Sequence, residues 1–197
     1  MGPTDEELVD AFQGGELSAF DALVRRWERR IQGAIHRVMG SEEEARDLCQ
    51  ETFLKAYRAL ASFKREARFS SWLYQIALNL CRDRMRRRRG RTMVSLDAMD
   101  DEGASLPGKQ GPSPLELAES GALARAVAAA VNGLPDEQRE VIVLKEYQDL
   151  TFLEIAEILD VPLSTVKTRL YRGLGQLRQR LERQGIRGAA PVVAPLR

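Results

Sequence analysis

The stretch Thr151-Phe152-Leu153-Glu154-Ile155-Ala156-Glu157-Ile158-Leu159-Asp160-Val161-Pro162-Leu163-Ser164-Thr165-Val166-Lys167-Thr168-Arg169-Leu170-Tyr171-Arg172 decides the fold of the second half of this chain. Thr151 and Glu154 have the spacing of a capping box, in which each side chain satisfies the other residue's free backbone N–H, so a helix starts at Phe152. Ala156 falls where two helices must approach closely and only a small side chain fits. Asp160-Val161-Pro162 makes the turn, with Val161 pointing inward. Ser164 or its predecessor is expected to cap the second helix. On that helix Val166 and Leu170 face the first, while Lys167, Thr168, Tyr171 and Arg172 face out. This is the layout of a recognition helix in a major groove, where Arg or Lys reads guanine and Thr or Tyr touches bases or phosphates. Ser164 and Thr165, at its start, complete the candidate set.

Working outward, Ala, Leu, Glu and Arg dominate, and apolar residues recur at three- and four-residue spacing. The pattern predicts helices at roughly 4–13, 16–39, 42–60, 70–89, 115–132, 136–148, 152–159 and 164–183. Ser41 with Glu44 offers a second capping box. No alternating run is long enough for a convincing strand. Residues 92–114 are rich in Asp, Gly and Pro and lack the apolar content to offset their ordering entropy, so they are expected to be a flexible linker. The expected fold is all-α, with two small helical domains at 1–91 and 115–183 joined by that linker, and a disordered tail at 184–197.

The net charge of +1 hides a pattern. Residues 61–91 carry ten basic and two acidic groups, and residues 161–197 carry eight and one. Residues 1–60 carry eight basic and twelve acidic groups, and residues 92–160 carry four and fourteen. Two basic patches between acidic stretches point to two nucleic-acid contacts on a chain that is not globally sticky. Cys49 and Cys81 lie far apart without a partner ligand, so both are expected to be small buried side chains, and no metal site or cofactor is expected. His36 has no paired nucleophile, and no carboxylates cluster at catalytic spacing. These absences argue against an enzyme. An acidic N-terminus without an apolar h-region and the lack of a long apolar run predict a soluble, cytoplasmic protein.

Two helices in the first half carry distinct faces. On the one predicted at 42–60, Ala45, Cys49, Thr52, Phe53, Ala56 and Leu60 form the core arc. Asp47, Gln50, Glu51, Leu54 and Arg58 lie on the other side, an acidic, amide-bearing face suited to a protein partner. On the one predicted at 70–89, Leu73, Ile76, Ala77 and Leu80 form the buried stripe. Trp72, Gln75, Asn79, Arg82 and Arg86 follow another face, and the preceding loop adds Phe63, Lys64, Arg65, Arg68 and Phe69. Rings that stack on unpaired bases gain about 1–3 kcal/mol per base. That offsets the few kcal/mol needed to extrude a base. Arginines along the same helix bind phosphates without reading sequence.

Asp47-Leu48-Cys49-Gln50-Glu51-Thr52-Phe53-Leu54-Lys55-Ala56-Tyr57 and Phe69-Ser70-Ser71-Trp72-Leu73-Tyr74-Gln75-Ile76-Ala77-Leu78-Asn79 resemble region 2 of the extracytoplasmic-function (ECF) sigma factors of the sigma-70 family. The segment from Leu134 to Leu181 resembles region 4. The resemblance implies a non-enzymatic subunit that binds core RNA polymerase and directs transcription initiation at promoters with −35 and −10 elements. It implies that Asp47, Gln50 and Glu51 meet the β′ clamp helices, with Leu54 and Arg58 on the same face, and that region 4 meets the β flap. It places Phe63, Lys64, Arg68, Trp72, Asn79, Arg82 and Arg86 at an opened −10 element, and the recognition helix at the −35 element. An anti-sigma factor is a further implied partner. Asp160 stands where the family's turn usually has glycine, and Gly173 and Gly175 weaken the recognition helix. The alternative is a conventional helix-turn-helix regulator. The second half also resembles response-regulator output domains, but those proteins usually carry an alternating β/α receiver domain, whereas this first half is helical and basic.

Overall fold

Helix boundaries follow from side chains able to satisfy free backbone groups. The computed structural model describes residues 2–64, 67–96 and 122–186. Helix α1 spans Asp5–Gln13 and opens on a capping box: Thr4 N donates to Glu7 Oε2 at 2.7 Å, and Glu7 N donates to Thr4 Oγ1 at 3.2 Å. Helix α2 spans Ser18–Met39 and ends at Gly40, whose φ of 74° is left-handed. Helix α3 spans Glu42–Leu60. Its cap is only half the expected box: Ser41 Oγ accepts from Glu44 N at 3.3 Å, but the Glu44 carboxylate turns to Arg84 and Arg88, at 3.9 and 3.3 Å. Two guanidinium groups outcompete one backbone N–H.

Helix α4 spans Phe69–Leu96 and so runs into residues expected to be linker. No proline interrupts it, and Gly90 alone costs a helix only about 1 kcal/mol. The remainder of the expected linker, the start of the helix predicted at 115–132 and most of the expected tail lie outside the described residues. Helix α5 spans Ala122–Asn132 and α6 spans Asp136–Ile142. The single helix predicted at 136–148 instead passes into a π-helical turn at Val143–Tyr147. Lys145 Nζ then donates to Leu150 O at 3.0 Å.

Helix α7 spans Phe152–Leu159 and has the full predicted box at Thr151 and Glu154. Those Thr151 groups, helped by Arg68, hold the Glu154 carboxyl below its ordinary range. Asp160 closes α7 in the left-handed conformation, with φ 53° and ψ 52°, so the tolerance of Asp for that region is used. Helix α8 spans Leu163–Arg183. Its N-cap is Pro162, with no side-chain cap, so Ser164 does not cap the helix and sits inside its first turn. Beyond α8, Ile186 N donates to Leu181 O at 3.0 Å and its side chain packs back on the helix.

The described elements are all helical and form two groups, α1–α4 and α5–α8. A continuous apolar core runs from Leu23, Ile31 and Leu73 in the first to Val141, Ile155 and Val166 in the second. A satellite of Val127, Ala130, Val131, Leu177 and Leu181 ties α5 to the end of α8. The groups are thus docked on one another. Tyr74 Oη donates to Gln148 Oε1 at 2.7 Å, and Arg139 Nη1 donates to Val38 O at 2.6 Å. Cys49 and Cys81 are free and buried. Burial, with Glu28 nearby, pushes the Cys49 thiol up to about 11, and burial pushes that of Cys81 up to about 12. Neither has reactive thiolate character. Among the described residues no helix is long and apolar enough to cross a membrane.

The two glycines of α8 have opposite surroundings. A Cβ on Gly173 would meet Ile142 Cδ1 at 2.8 Å and Gln138 Cβ at 3.2 Å, because α6 crosses there; a Cβ on Gly175 would meet nothing within 4 Å. Gly175→Ala should therefore stabilise by up to about 1 kcal/mol. Gly173→Ala gains the same propensity but overpacks the crossing, at about 1–3 kcal/mol, and should be net destabilising. Urea unfolding of the two variants checks the difference in sign; equal stabilisation would contradict this packing.

Candidate functional site

Helices α2 and α3 enclose a groove of about 530 Å³. Its apolar floor is Phe20, Val24 and Phe53, and Leu54, Tyr57 and Gln50 stand along it. Leu54 is 56% exposed and Tyr57 43%, both large for apolar groups on a polar helix. Phe20 meets the Tyr57 ring edge-on at 5.1 Å, which fixes the wall. Ala45, Leu48, Cys49, Thr52, Phe53, Ala56 and Leu60 are buried, so α3 presents its predicted outer face. Of the partner-face residues, Gln50 and Leu54 line the groove. Asp47 and Arg58 are exposed on the same helix outside its lining, and Glu51 pairs with Lys55 at 3.6 Å. The α2 contribution was not read from sequence, since a groove between two helices has no one-dimensional period. The i, i+4 spacing of Phe20 and Val24 beside the core stripe was the available signal.

The second surface centres on the segment before α4. Trp72 packs between Phe63, with ring centroids 4.7 Å apart, and Phe69, at 6.0 Å. Next to them lies a pocket of about 430 Å³, lined by Phe63, Ala67, Arg68 and Phe69 with Val9, Glu6 and Glu157. Trp72 is half-buried and backs the lining rings without lining the pocket itself. Lys64 and Asn79 are exposed, and Asn79 Oδ1 accepts from Arg82 Nη1 at 3.3 Å. Arg86 pairs with Asp83 at 2.5 Å and is exposed. Arg68 and Arg82 are engaged by the other helical group. Arg68 Nη1 meets Glu154 Oε1 at 2.9 Å. Arg82 Nε and Nη2 meet Glu140 Oε1 and Oε2 at 2.9 and 2.6 Å. The Glu140 side chain is only 2% exposed. Burial pushes its carboxyl up, and Arg82 pulls it part of the way back, while the same bond holds Arg82 above its ordinary value.

The third surface is the outer face of α8. Lys167, Thr168, Tyr171 and Arg172 are exposed, Tyr171 at 66%, over buried Val166 and Leu170. Ser164, Thr165, Thr168 and Arg172 line one shallow groove with Pro135 of the preceding turn. Thr168 Oγ1 donates to Ser164 O at 2.8 Å, so that hydroxyl is partly committed to its own helix. Lys167 Nζ lies 5.9 Å from the centre of the Phe152 ring. Arg169, which was not among the expected contacts, lines the same groove and pairs with Glu137 at 2.9 Å. Among the described residues no group of His, Cys, Asp and Glu side chains could hold a metal ion.

Helical elements throughout the described residues, an aromatic–basic surface and a helix-turn-helix define the class of a DNA-binding protein. Residues 23–91 match Sigma-70 region 2, and residues 124–177 match Sigma-70, region 4. The chain is 36% identical to the ECF RNA polymerase sigma factor SigW of Bacillus subtilis (strain 168) over 179 residues, 89% of this chain and 96% of that one. It is 33% identical to the ECF RNA polymerase sigma-E factor of Haemophilus influenzae over 184 residues, 91% of this chain and 96% of that one. Among solved structures, CnrH in complex with the cytosolic domain of CnrY superposes with a TM-score of 0.66 at 27% identity, covering 91% of this chain and 97% of that chain. The sigma factor RpoE in complex with the anti-sigma factor NepR from Bartonella quintana gives 0.63 at 25% identity, covering 83% and 96%. The chain belongs to the ECF RNA polymerase sigma factors of the sigma-70 family, which are not enzymes.

Proposed function

We propose that this ECF sigma factor, which binds core RNA polymerase and directs promoter recognition, divides the work among the three surfaces. The α2–α3 groove takes the β′ clamp helices, with Leu54 and Tyr57 as apolar anchors and Gln50, Asp47, Glu51 and Arg58 around them. Buried aromatic and aliphatic anchors within a polar rim concentrate binding energy in this way. The pocket beside Phe63 and Phe69 receives an unpaired base of the −10 element, backed by Trp72. Lys64, Arg68, Asn79, Arg82 and Arg86 hold the strand. The face of α8 carrying Ser164, Thr165, Lys167, Thr168, Tyr171 and Arg172 enters the −35 major groove, and the helical group behind it meets the β flap. Residues 1–91 and 115–183 are the two functional units in this reading. The observation that carries it is the coexistence of an exposed Leu54–Tyr57 groove with two basic helices whose outward side chains suit nucleic acid. A cytoplasmic location follows from a polymerase-bound role. An anti-sigma factor is a further partner, in line with the relative RpoE, solved in complex with one.

Gln50→Ala combined with Leu54→Ala should weaken co-elution with bacterial core polymerase at least tenfold while leaving the unfolding midpoint nearly unchanged, since both side chains project into the groove. Unchanged polymerase affinity would refute the proposed interface. Lys167→Ala and Arg172→Ala should each cost about 1–3 kcal/mol in discrimination at the −35 element if they make bidentate base contacts. Competition titrations check this: a loss shared equally by all duplexes would make them phosphate contacts only. Phe63→Ala and Trp72→Ala should permit polymerase binding but reduce permanganate reactivity of −10 thymines. Normal reactivity in both would remove the aromatic pocket from promoter opening.

A further inference from the structure

Helix α1 supplies part of the wall of the pocket beside Phe63 and Phe69. Glu6 and Val9, three residues apart on one face of that helix, both line it. The first turn of α1 holds three successive acids, Asp5, Glu6 and Glu7, and each is placed differently. Asp5 ties the helix to α2: its Oδ1 accepts from Arg26 Nη1 at 2.5 Å, and its Oδ2 from Trp27 Nε1 at 3.0 Å. Glu7 closes the capping box with Thr4. Of the three, Glu6 is the one on the pocket lining. At its other end α1 is fixed to the segment that carries Phe63. Gln13 Nε2 donates to Leu60 O at 2.9 Å and to Phe63 O at 3.0 Å, so both hydrogens of one amide are used to hold that backbone. The carboxylate of Glu6 and the ring of Phe63 are therefore positioned relative to one another by contacts within the first helical group. The remaining polar lining differs: Arg68 is paired with Glu154 at 2.9 Å, and Glu157 stands on α7, in the other group.

We propose that Glu6 is a specificity-determining residue of this pocket, an acceptor that selects an unpaired base bearing an exocyclic amine and disfavours thymine. This rests on the assignment of the pocket to a −10 base made above. Against Phe63, Phe69 and Val9 every base gains stacking and apolar contact, because every base has a π-face. Those walls therefore do not choose among bases. An ionised carboxylate only accepts hydrogen bonds. Cytosine, adenine and guanine each offer it an amino group, as cytosine N4 does to Glu or Asp in duplex readout. Thymine offers a single N–H between two carbonyl oxygens, so the carboxylate that reaches it also meets those oxygens. Charge-assisted bonds are about twice as strong as neutral ones. A site built to bond one group rejects an analogue that lacks it, because its own polar atom is then left without that partner. Glu6 is assigned this role ahead of Glu157 because its helix is tied by Gln13 to the backbone of Phe63 itself.

The test uses the full chain bound to bacterial core polymerase and a pool of single-stranded DNA randomised over a short window, with bound strands sequenced. The wild type is compared with Phe63→Ala, Glu6→Gln, Glu6→Asp and Glu157→Gln, and urea midpoints confirm that each folds. Glu6 is exposed, so its substitution spares the core. The position at which Phe63→Ala flattens base preference marks the pocket. At that position the wild type is expected to disfavour thymine about five- to tenfold, as one charge-assisted hydrogen bond allows. Glu6→Gln, whose amide can also donate to a carbonyl, is expected to admit thymine there and to leave the other positions unchanged. Glu6→Asp and Glu157→Gln are expected to keep the discrimination. A Glu6→Gln variant that retains it, or that binds all strands tighter by the same factor, would overturn the role of Glu6 and leave the pocket assigned to DNA. Loss of discrimination in Glu157→Gln alone would overturn it too, by moving the acceptor to α7. If Phe63→Ala altered preference at no position, the pocket would not hold a base, and the inference would fall with that reading.

Discussion

The ion pair between Arg82 and Glu140 is the constraint on which the arrangement of the helices depends. Glu140 lies in α6 beside buried Val141 and Ile142, where a carboxylate without a partner would be costly. A buried pair adds little net stability compared with apolar residues of the same shape, but removing one partner typically costs about 3–5 kcal/mol. The pair therefore acts mainly on geometry, since it admits one docking of α6 on α4. Through the close crossing at Gly173, α6 in turn supports α8. The direction of α8 relative to the first group thus depends on this pair together with the apolar core that joins the groups and the Tyr74–Gln148 and Arg139–Val38 hydrogen bonds.

The local chemistry was largely legible in the sequence. The Thr151–Glu154 box, the outward α3 face and the outward α8 face all depend on residues within about one or two turns of each other. What failed to show depends on distant residues. Helix α4 buries Tyr74 and Leu78 beside Leu73, Ala77 and Leu80 of its predicted stripe, while Ile76 of that stripe is only half-buried, and Tyr74 is covered from both groups, by Trp27 and by Gln148. Glu140 reads as an ordinary surface acid until Arg82, far away in sequence, is brought to it. Glu44 abandons its box for Arg84 and Arg88 for the same reason. Phe20 and Val24 become part of a groove only when α2 lies beside α3. The π-helical turn after Ile142 leaves no mark in a pattern of apolar spacing.

The same helices bury one face and present chemically distinct side chains on the other. Helix α3 buries one arc against α2 and leaves the other exposed. Helix α8 buries Val166 and Leu170 and offers Lys167, Tyr171 and Arg172. Helix α4 is the exception: much of its basic face is turned toward the chain's own acids. The net charge of only +1 reflects the acidic stretches at residues 1–60 and 92–160, which offset the two basic segments.

The most direct measurement is the distance distribution between spin labels on the free chain, at Arg58→Cys in α3 and Gln179→Cys in α8. Both positions are exposed, whereas native Cys49 and Cys81 are buried with raised thiols and should remain unlabelled. The docked arrangement predicts one narrow distribution that broadens and lengthens when Glu140→Gln is introduced. A broad distribution in the unsubstituted free chain, unchanged by that substitution, would contradict the central claim.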